Sequence, residues 1–307
     1  MPRTSVIMPC YNHGRFVGES VAAVLGQTFA DLELIVVDDA SKDDSVKVLR
    51  GLAQKDARVK VIVHERNRGA SGSRNDGFRA AVGEFVAYCD ADDLWKPEKL
   101  GRQIRLLEEH PECDITYCDS EIIDETGRLT GELFSDQIPP PPTPSGNLFE
   151  ALCARNFINM QTVMARRWPL GESLLFDEHI KWVEDWWQWI RLARHHRFLY
   201  EPAALALYRV HPQSTVFTQK RGYRKNRCKV AIRTLHAYTD IPLKIRAQFW
   251  DQIGRELCYL GKRRRGCRFI WKGLRFGWAA RLPLRRLGRM SARLILEWSR
   301  GSIARRR

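Results

Sequence analysis

The sequence predicts an α/β protein in which a mostly parallel sheet is flanked by helices and followed by a basic, helical C-terminal extension. Two patterns support this prediction. In the first 120 residues, short apolar runs alternate with amphipathic segments, as they do in repeated β-α units. From about residue 222, apolar residues recur at helical spacing among many lysines and arginines.

Five short apolar runs predict the strands of the sheet. They occupy residues 6–8, 32–37, 59–63, 85–88 and 115–118. Helical spacing between the runs predicts the covering helices. Ligands of such sheets bind beyond the carboxyl ends of the strands. Asp38 and Asp39 follow the second run and Asp90 follows the fourth, so we expect both acidic groups to line one crevice.

A proline-rich segment, residues 138–144, follows the fifth predicted strand. Its four consecutive prolines make it stiff and extended. We interpret it as a connection between two halves of the α/β region, although a plain surface loop explains the composition equally well. After it, helical segments are mixed with short strands near residues 160–165 and 198–210.

The charge of the chain is distributed unevenly. Of the net +15 over 307 residues, residues 1–218 contribute −7, from 25 basic and 32 acidic side chains. Residues 219–307 contribute +22, from 26 basic and 4 acidic side chains. This asymmetry indicates a separate basic module that meets an anionic partner.

The eight cysteines indicate the compartment. They are scattered without any C-x-x-C pair, which argues against a zinc or redox motif. The first residues do not resemble a secretory leader, and no charge-free apolar run approaches the ~18 residues of a membrane span. We therefore expect reduced thiols and a cytoplasmic protein.

The sharpest local feature is an acidic turn, DADD at residues 90–93. Carboxylates two residues apart, such as Asp90 and Asp92, can converge on one hard cation like Mg²⁺. The alternative is an acidic surface turn in which Asp93 caps the following helix. The pattern alone does not decide, because D-x-D is short and common.

An ordered set of motifs gives this turn a context. The set is PCYN at 9–12, QTF at 27–29, VVDDAS at 36–41, RNRG at 66–69, SRN at 73–75, GEFV at 83–86 and DADDLW at 90–95. In this order the motifs closely resemble family 2 glycosyltransferases, which have the GT-A fold. The resemblance is dense over about residues 4–120 and thin to about 215. Ser73 is one departure, because the family often has alanine there.

The resemblance implies a nucleotide-sugar site. Pro9 and Tyr11 match the turn that packs against the base, and a planar ring can lie on Tyr11. Asp39, with Asp38 beside it, matches the carboxylate that reads base and ribose. Arg74 matches a basic residue near the donor diphosphate. Each residue also has a structural alternative: a half-buried aromatic, a helix cap or a surface ion pair.

The same resemblance implies a divalent metal, Mg²⁺ or Mn²⁺. Asp92 matches the principal metal ligand. Asp90 matches the residue that acts through water or on the ribose. The cation would neutralise charge on the pyrophosphate leaving group as its bond to the sugar breaks.

A second constellation, WVEDWWQWIRL at 182–192, resembles the family's E-D motif at a helix start. Asp185 would be the general base that takes the proton of the acceptor hydroxyl during an inverting transfer. Alternatively, Glu184 and Asp185 only answer the helix dipole, and the four tryptophans pack in the core. Further on, Arg209 and His211 match a Y-R-x-H segment and could close over the donor phosphates.

These matches predict an inverting glycosyltransferase of cell-surface polysaccharide or glycolipid synthesis. Residues 1–218 would form the GT-A domain, with 1–120 binding the nucleotide sugar and 145–218 the acceptor, and 219–307 would form the basic helical region. Two other interpretations stay open: a nucleic-acid-binding protein that uses the basic C-terminus, and a non-catalytic relative that binds the donor.

The basic region predicts an anionic membrane surface as a partner, on the inner face of the cell membrane where a lipid-linked acceptor would lie. An apolar stripe supports this prediction: Leu284, Leu287, Leu294 and Trp298, with Ile295 beside it. Arg285, Arg286, Arg289 and Arg293 lie largely off that stripe, as in helices that lie in a lipid interface. The stripe could equally pack on the catalytic domain, whereas nucleic acid is a poorer match to its leucines.

Overall fold

The structure is a computed structural model that describes residues 1–214 and 218–279. The described chain forms two compact units. Unit 1 comprises Met1–Leu152 and Asn156–Ser214. Unit 2, as far as it is described, comprises Cys153–Arg155 and residues 218–279. The leucine and tryptophan stripe predicted at 284–298 lies outside the described residues.

Unit 1 is built on one sheet, which has nine strands among the described residues. The order is β3-β2-β1-β4-β8-β6-β9-β5, with β7 paired to β6. The strands are β1 Thr4–Cys10, β2 Leu32–Asp38, β3 Val59–Val63, β4 Phe85–Tyr88, β5 Leu94–Trp95, β6 Ile115–Ile123, β7 Leu129–Leu133, β8 Met164–Arg166 and β9 Phe198–Arg209. The first four strands are parallel, and β6 and β9 are also parallel.

Eight helices accompany the sheet in the described part of the chain. They are α1 Val17–Leu25, α2 Ser45–Lys55, α3 Gly69–Ala80, α4 Lys99–Glu109, α5 Phe134–Gln137, α6 Phe149–Ala154, α7 Arg167–Leu170 and α8 Glu184–Ala193. Short 3₁₀ turns occupy Met160–Thr162 and Gly171–Leu174. The predicted α/β class with a mostly parallel sheet is confirmed.

The core lies on both faces of β1 and β2. The two strands pair in register from Thr4 opposite Leu32 to Cys10 opposite Asp38. Every residue of β2 is buried, as expected for a strand covered on both sides. Gly77 of α3 lets the helix approach the sheet closely, because a Cβ there would lie 2.6 Å from Cγ2 of Ile7. The central strands therefore hold the loops at their carboxyl ends in fixed positions.

The second half of the sheet differs from the repeated β-α pattern. β8 pairs antiparallel with both β4 and β6, and the two-residue β5 pairs antiparallel with β9. Neither β5 nor β7 was expected from the apolar runs. β5 is too short to show a periodicity, and β7 is largely exposed. β6 continues to Ile123, five residues beyond the expected end, because it pairs with β9 along its length.

Unit 2 contains three long helices among its described residues: α9 Lys220–Ala237, α10 Leu243–Tyr259 and α11 Arg263–Ala279. α10 and α11 pack closely through glycines. A Cβ on Gly254 would lie 2.5 Å from Ile270, and one on Gly273 would lie 2.9 Å from backbone atoms of Ala247 and Asp251. None of the helices in the described ranges is both long and apolar enough to cross a bilayer.

Candidate active site

The loops after β1, β2 and β4 leave the same edge of the sheet, because these strands are parallel neighbours. Asn12 ties the first two loops together. Its backbone N–H donates to Ser41 Oγ at 2.9 Å, and its side-chain Oδ1 accepts from Lys42 N at 2.8 Å. Asn12 and Ala40 both have left-handed backbone angles, with φ of 56° and 61°. Such angles in non-glycine residues often mark functional loops.

Tyr11 and Pro9 lie at the end of β1. The Tyr11 side chain is 42% exposed, although it follows a buried strand. An exposed ring at a strand's carboxyl end offers a flat face to a planar ligand. The predicted contact of these two residues with a nucleotide base stays a prediction.

The Asp38-Asp39 pair is buried and divides its contacts. Asp38 Oδ1 accepts from Ser41 N at 2.9 Å, and its Oδ2 is buried without a polar partner among the described residues. Asp39 accepts from the backbone N–H groups of Arg68 and Gly69 at 2.8 and 2.7 Å. Asp39 Oδ1 also lies 2.8 Å from Nδ1 of His64. Asp39 therefore anchors the loop before α3, and its base-reading role stays a prediction.

Arg209 holds the acidic turn after β4 in place. Its backbone N–H donates to Asp93 Oδ1 at 2.8 Å, and its Nε donates to the carbonyl of Asp92 at 2.7 Å. Its Nη2 donates to Glu19 at 2.8 Å. Arg209 is fully buried, so it fixes the position of the turn from the protein interior. Burial and the charges of Asp92 and Asp90 raise the pKa of Asp93 well above its usual value.

Two histidines lie beside Asp92. Nε2 of His211 is 3.1 Å from Asp92 Oδ2, and one ligand atom each of His13, Asp92 and His211 lies within 4.8 Å of the others. Burial opposes the charged form of Asp92, but the hydrogen bond from His211 and the charges of both histidines outweigh it and lower the pKa of Asp92.

This group fits a divalent metal. One carboxylate and two imidazoles are common ligands of divalent cations. Nε2 of His211 faces the Asp92 carboxylate, and its buried Nδ1 has no hydrogen-bond partner among the described residues, so Nδ1 could carry the ring proton when Nε2 binds a cation. The predicted closure of His211 over the donor phosphates stays a prediction. The structure places its ring beside Asp92, the predicted metal ligand. Asp90, the second predicted ligand, contacts Arg74.

Arg74 of α3 bridges two acidic regions. Its Nη2 donates to Asp90 Oδ1 and its Nη1 to Glu184 Oε1, both at 2.7 Å. Arg74 is buried, and its Nε and Glu184 Oε2 have no partner among the described residues. The bridge connects the turn after β4 with the start of α8, where Asp90 and Glu184 lie 94 positions apart in the sequence.

Asp185 lies in the first turn of α8, beside Glu184. Its Oδ1 accepts from Trp186 N at 2.7 Å and its Oδ2 from Nδ2 of Asn156 at 2.9 Å. Burial and the charge of Glu184 raise the pKa of Asp185 to about 7. The Trp186 N–H, the charge of Arg74 and the Asn156 amide lower this pKa, but by less. Asp185 can therefore exchange a proton near neutral pH.

The tryptophans around Asp185 mostly belong to the core. Trp186, Trp187 and Trp189 are buried, and Trp186 Nε1 donates to the carbonyl of Leu152 at 2.6 Å. Trp182 is partly exposed and has a left-handed φ of 64°. The packed rings create the apolar surroundings that raise the pKa of Asp185.

Comparison with known proteins identifies the family. The family model described as "Glycosyl transferase family 2" matches residues 5–160. The chain belongs to this family. A protein of Rickettsia felis described as an "uncharacterized glycosyltransferase" is 32% identical over 191 residues, which cover 62% of this chain and 30% of that protein. One from Haemophilus influenzae with the same description is 29% identical over 217 residues, covering 70% of this chain and 67% of its own.

Solved structures agree on the fold. Staphylococcus aureus TarS 1–349 in complex with UDP-GlcNAc superposes with a TM-score of 0.64 at 20% identity, covering 89% of this chain and 81% of that one. The mannosyltransferase PcManGT from Pyrobaculum calidifontis, in complex with GDP-Man and Mn²⁺, gives 0.61 at 17% identity and covers 98% and 81%. The GT-A-like fold expected of this family 2 glycosyltransferase chain is confirmed. The chain spans about a third of the Rickettsia relatives it matches.

Several residues of the site carry no clear sequence signal. His13 stands two positions after Tyr11 in the β1 loop, where nothing marked it as a ligand. Asn156 lies in a segment of unremarkable composition, and Glu19 lies within an amphipathic helix. Only the tertiary structure brings them to Asp92, Asp185 and Arg209.

Proposed function

We propose that this chain is an inverting glycosyltransferase that moves a sugar, a hexose or a close relative, from a nucleotide-diphosphate donor to an acceptor hydroxyl. One observation carries the proposal. Arg74 bridges Asp90 of the acidic turn to Glu184, the neighbour of a base whose pKa is about 7. The turn that would bind the diphosphate and the side chain that would accept the proton are thus linked through the buried Arg74. Residues 1–120 would bind the donor and 145–218 the acceptor.

The proposed reaction uses the chain's own residues as follows. Tyr11 and the Asp38-Asp39 pair hold the nucleoside. Asp185 takes the proton of the acceptor hydroxyl as that oxygen bonds to the anomeric carbon and the bond to the diphosphate breaks. A divalent cation, Mg²⁺ or Mn²⁺, held chiefly by Asp92 with Asp90 nearby, would supply positive charge to the departing diphosphate. Attack opposite the leaving group inverts the anomeric centre.

The structural relatives guide the choice of donors. The TarS complex contains UDP-GlcNAc and the PcManGT complex contains GDP-Man with Mn²⁺. The first test is therefore incubation with UDP- and GDP-sugars plus Mn²⁺ or Mg²⁺, with mass spectrometry of the released nucleoside diphosphate. Release with one donor, and an inverted product linkage by NMR, supports the proposal. Donor binding without release in the presence of varied acceptors contradicts it and supports a non-catalytic relative.

We also propose that the protein works in cell-surface polysaccharide or glycolipid synthesis, in the cytoplasm at the inner membrane face, with residues 219–307 as the membrane-facing region. Support comes from α11, which has six basic residues and no acidic one. Its exposed side chains include an aromatic one, Trp271, which is 59% exposed. The exposed side chains of α11 are Arg263, Arg264, Arg265, Arg268, Trp271, Lys272 and Arg275. Basic side chains around an exposed tryptophan suit an anionic bilayer surface.

Vesicle co-sedimentation tests this proposal. The full chain should bind phosphatidylglycerol-containing vesicles at low salt and leave them as salt rises. Replacing Arg264, Arg265 and Arg268 with glutamate should weaken binding and lower the salt concentration that releases the protein, without changing the melting temperature. If the protein stays in the supernatant but binds duplex DNA at the same salt, the nucleic-acid interpretation replaces the membrane one.

A further inference from the structure

The cluster of His13, Asp92 and His211 draws on three distant parts of the chain. The residues come from the loops after β1, β4 and β9, and one ligand atom of each lies within 4.8 Å of the others. Two ligands that bind one ion at about 2.1 Å lie at most about 4.2 Å apart. Shifts of the side-chain ligand atoms by roughly half an ångström would therefore bring all three within binding distance of one cation.

The surroundings aim both imidazoles at this point. His211 is buried and packs on the ring of Phe16 at 5.0 Å between centroids. The ring of His13 meets His211 edge-on at 6.2 Å. Among the described residues the ring nitrogens of His13 have no hydrogen-bond partner. Its backbone N–H donates to Ser45 Oγ at 3.0 Å, and its carbonyl accepts from the N–H groups of Phe16 and Val17, both at 2.8 Å. The ring nitrogens of His13 can therefore bind a cation without breaking a hydrogen bond.

The chemical type of the three ligand atoms determines which cation suits the cluster. Mg²⁺ prefers oxygen ligands and is usually bound by one or two carboxylates, phosphates and water. Imidazole nitrogen favours first-row transition ions, whose affinities rise from Mn²⁺ to Co²⁺ and beyond. With one carboxylate and two imidazoles, the cluster offers a poor set for Mg²⁺ and a good one for these ions.

We propose that His13 is a third protein ligand of the metal centre and that its imidazole makes the site select Mn²⁺ or Co²⁺ over Mg²⁺. This inference rests on the proposed function for the use of the metal, but not for its binding. The three side chains would occupy one side of the ion and leave the remaining positions for oxygen atoms of the donor diphosphate. His13 would then set the metal preference of the enzyme.

The experiment uses the full chain and metal alone, without donor. Calorimetric titration should give an affinity for Mn²⁺ at least about tenfold above that for Mg²⁺. The variant His13→Ala should lose at least about tenfold in Mn²⁺ affinity and little in Mg²⁺ affinity. His13→Asp should narrow the preference by adding an oxygen ligand. His236→Ala, which removes an exposed histidine of α9, is the matched control and should bind like the wild type.

Pulsed electron paramagnetic resonance of bound Mn²⁺ gives a second readout. Coupling to nitrogen from two imidazoles is expected in the wild type and from one in His13→Ala. Unchanged nitrogen coupling and unchanged Mn²⁺ affinity in His13→Ala overturn the proposal, as does equal affinity for Mg²⁺ and Mn²⁺. If His13→Ala instead weakens binding of a nucleoside diphosphate in the absence of metal, His13 contacts the phosphates and is not a metal ligand.

The two proposals fail separately. A protein that binds Mn²⁺ through two imidazoles but transfers no sugar contradicts the glycosyltransferase proposal alone. A protein that transfers sugar while His13→Ala keeps its metal preference contradicts this inference alone.

Discussion

The two acidic regions of the site treat charge in opposite ways. Around Asp92, two histidines favour the carboxylate and lower its pKa despite burial. Around Asp185, burial and the neighbouring Glu184 disfavour the carboxylate and raise its pKa to about 7. Carboxylates of the same type thus differ in pKa, as their proposed roles require: Asp92 would stay charged beside a cation, and Asp185 would accept a proton. Arg74 lies between them and contacts both regions.

The largest effect is expected from Asp185→Asn, which keeps the shape and removes the basicity. If Asp185 is the base, kcat should fall by roughly 10²–10⁴ while donor affinity stays unchanged. Steady-state kinetics with calorimetric donor binding measures both. Glu172→Gln, on an exposed acid of the nearby 3₁₀ turn, is the control. A variant that keeps more than about a tenth of the wild-type kcat loses under ~1.4 kcal/mol of transition-state stabilisation, too little for a base.

Arg74→Met tests whether the two regions depend on one cation. Removing a buried guanidinium leaves Asp90 and Glu184 without their shared partner, so the free energy of unfolding should fall by roughly 3–5 kcal/mol. Adding Glu184→Gln should recover part of the loss. Urea unfolding measures it, and Arg79→Met, which breaks an exposed ion pair with Asp76, should change stability by less than about 1 kcal/mol. If Arg74→Met and Arg79→Met lower the free energy of unfolding equally, the buried bridge contributes no more stability than an exposed ion pair.

Asp92→Asn tests the other side of the comparison. The gain in donor affinity that Mn²⁺ brings should drop by at least about tenfold, or ~1.4 kcal/mol, because a negative metal ligand is lost. Calorimetry with and without EDTA gives the gain for each protein. An equal gain in wild type and variant would place the metal elsewhere.

Asn156→Ala gives the smallest and most specific effect. As the proposed base, Asp185 would have to be deprotonated to act, so activity should fall as pH drops below about 7. The Asn156 amide favours the charged form, and its removal should move this limb upward by less than about one pH unit. Glu184, Arg74 and Tyr208 also face Asp185 and should act alike in both proteins. The pH profile of kcat/KM measures the limb, and an unmoved limb assigns Asn156 a purely structural role.

The sequence predicts the region around Asp92 better than the region around Asp185. Asp38 and Asp90 follow apolar strands whose spacing alone indicates a parallel sheet, so their common edge could be expected. The bridge from Arg74 to Glu184 and the bond from Asn156 to Asp185 join residues 110 and 29 positions apart. No local pattern encodes such contacts, and the antiparallel β8 that brings the second half onto the sheet has only three residues.

Histidines show the same limit in a different form. The sequence indicates a role for His211 through its neighbours in the Y-R-x-H segment, whereas no motif of the sequence includes His13. Their closeness depends on the 12-residue β9, which carries His211 back beside the loops after β1 and β4. Ligand sets drawn from separate loops become visible only when the strand order is known.

Three non-glycine residues with left-handed backbone angles among the described residues, Asn12, Ala40 and Trp182, all lie in loops beside proposed functional residues. Each such angle costs on the order of 1–3 kcal/mol, which glycine would largely remove. Evolution toward higher stability therefore has a short route at Ala40, through a single substitution to glycine, because little side chain is lost there; at Trp182 the same change would also remove a partly buried indole. Glycine would also make the loop more flexible. A laboratory lineage selected for heat resistance alone is therefore expected to acquire the substitution. A lineage selected for turnover is expected to avoid it.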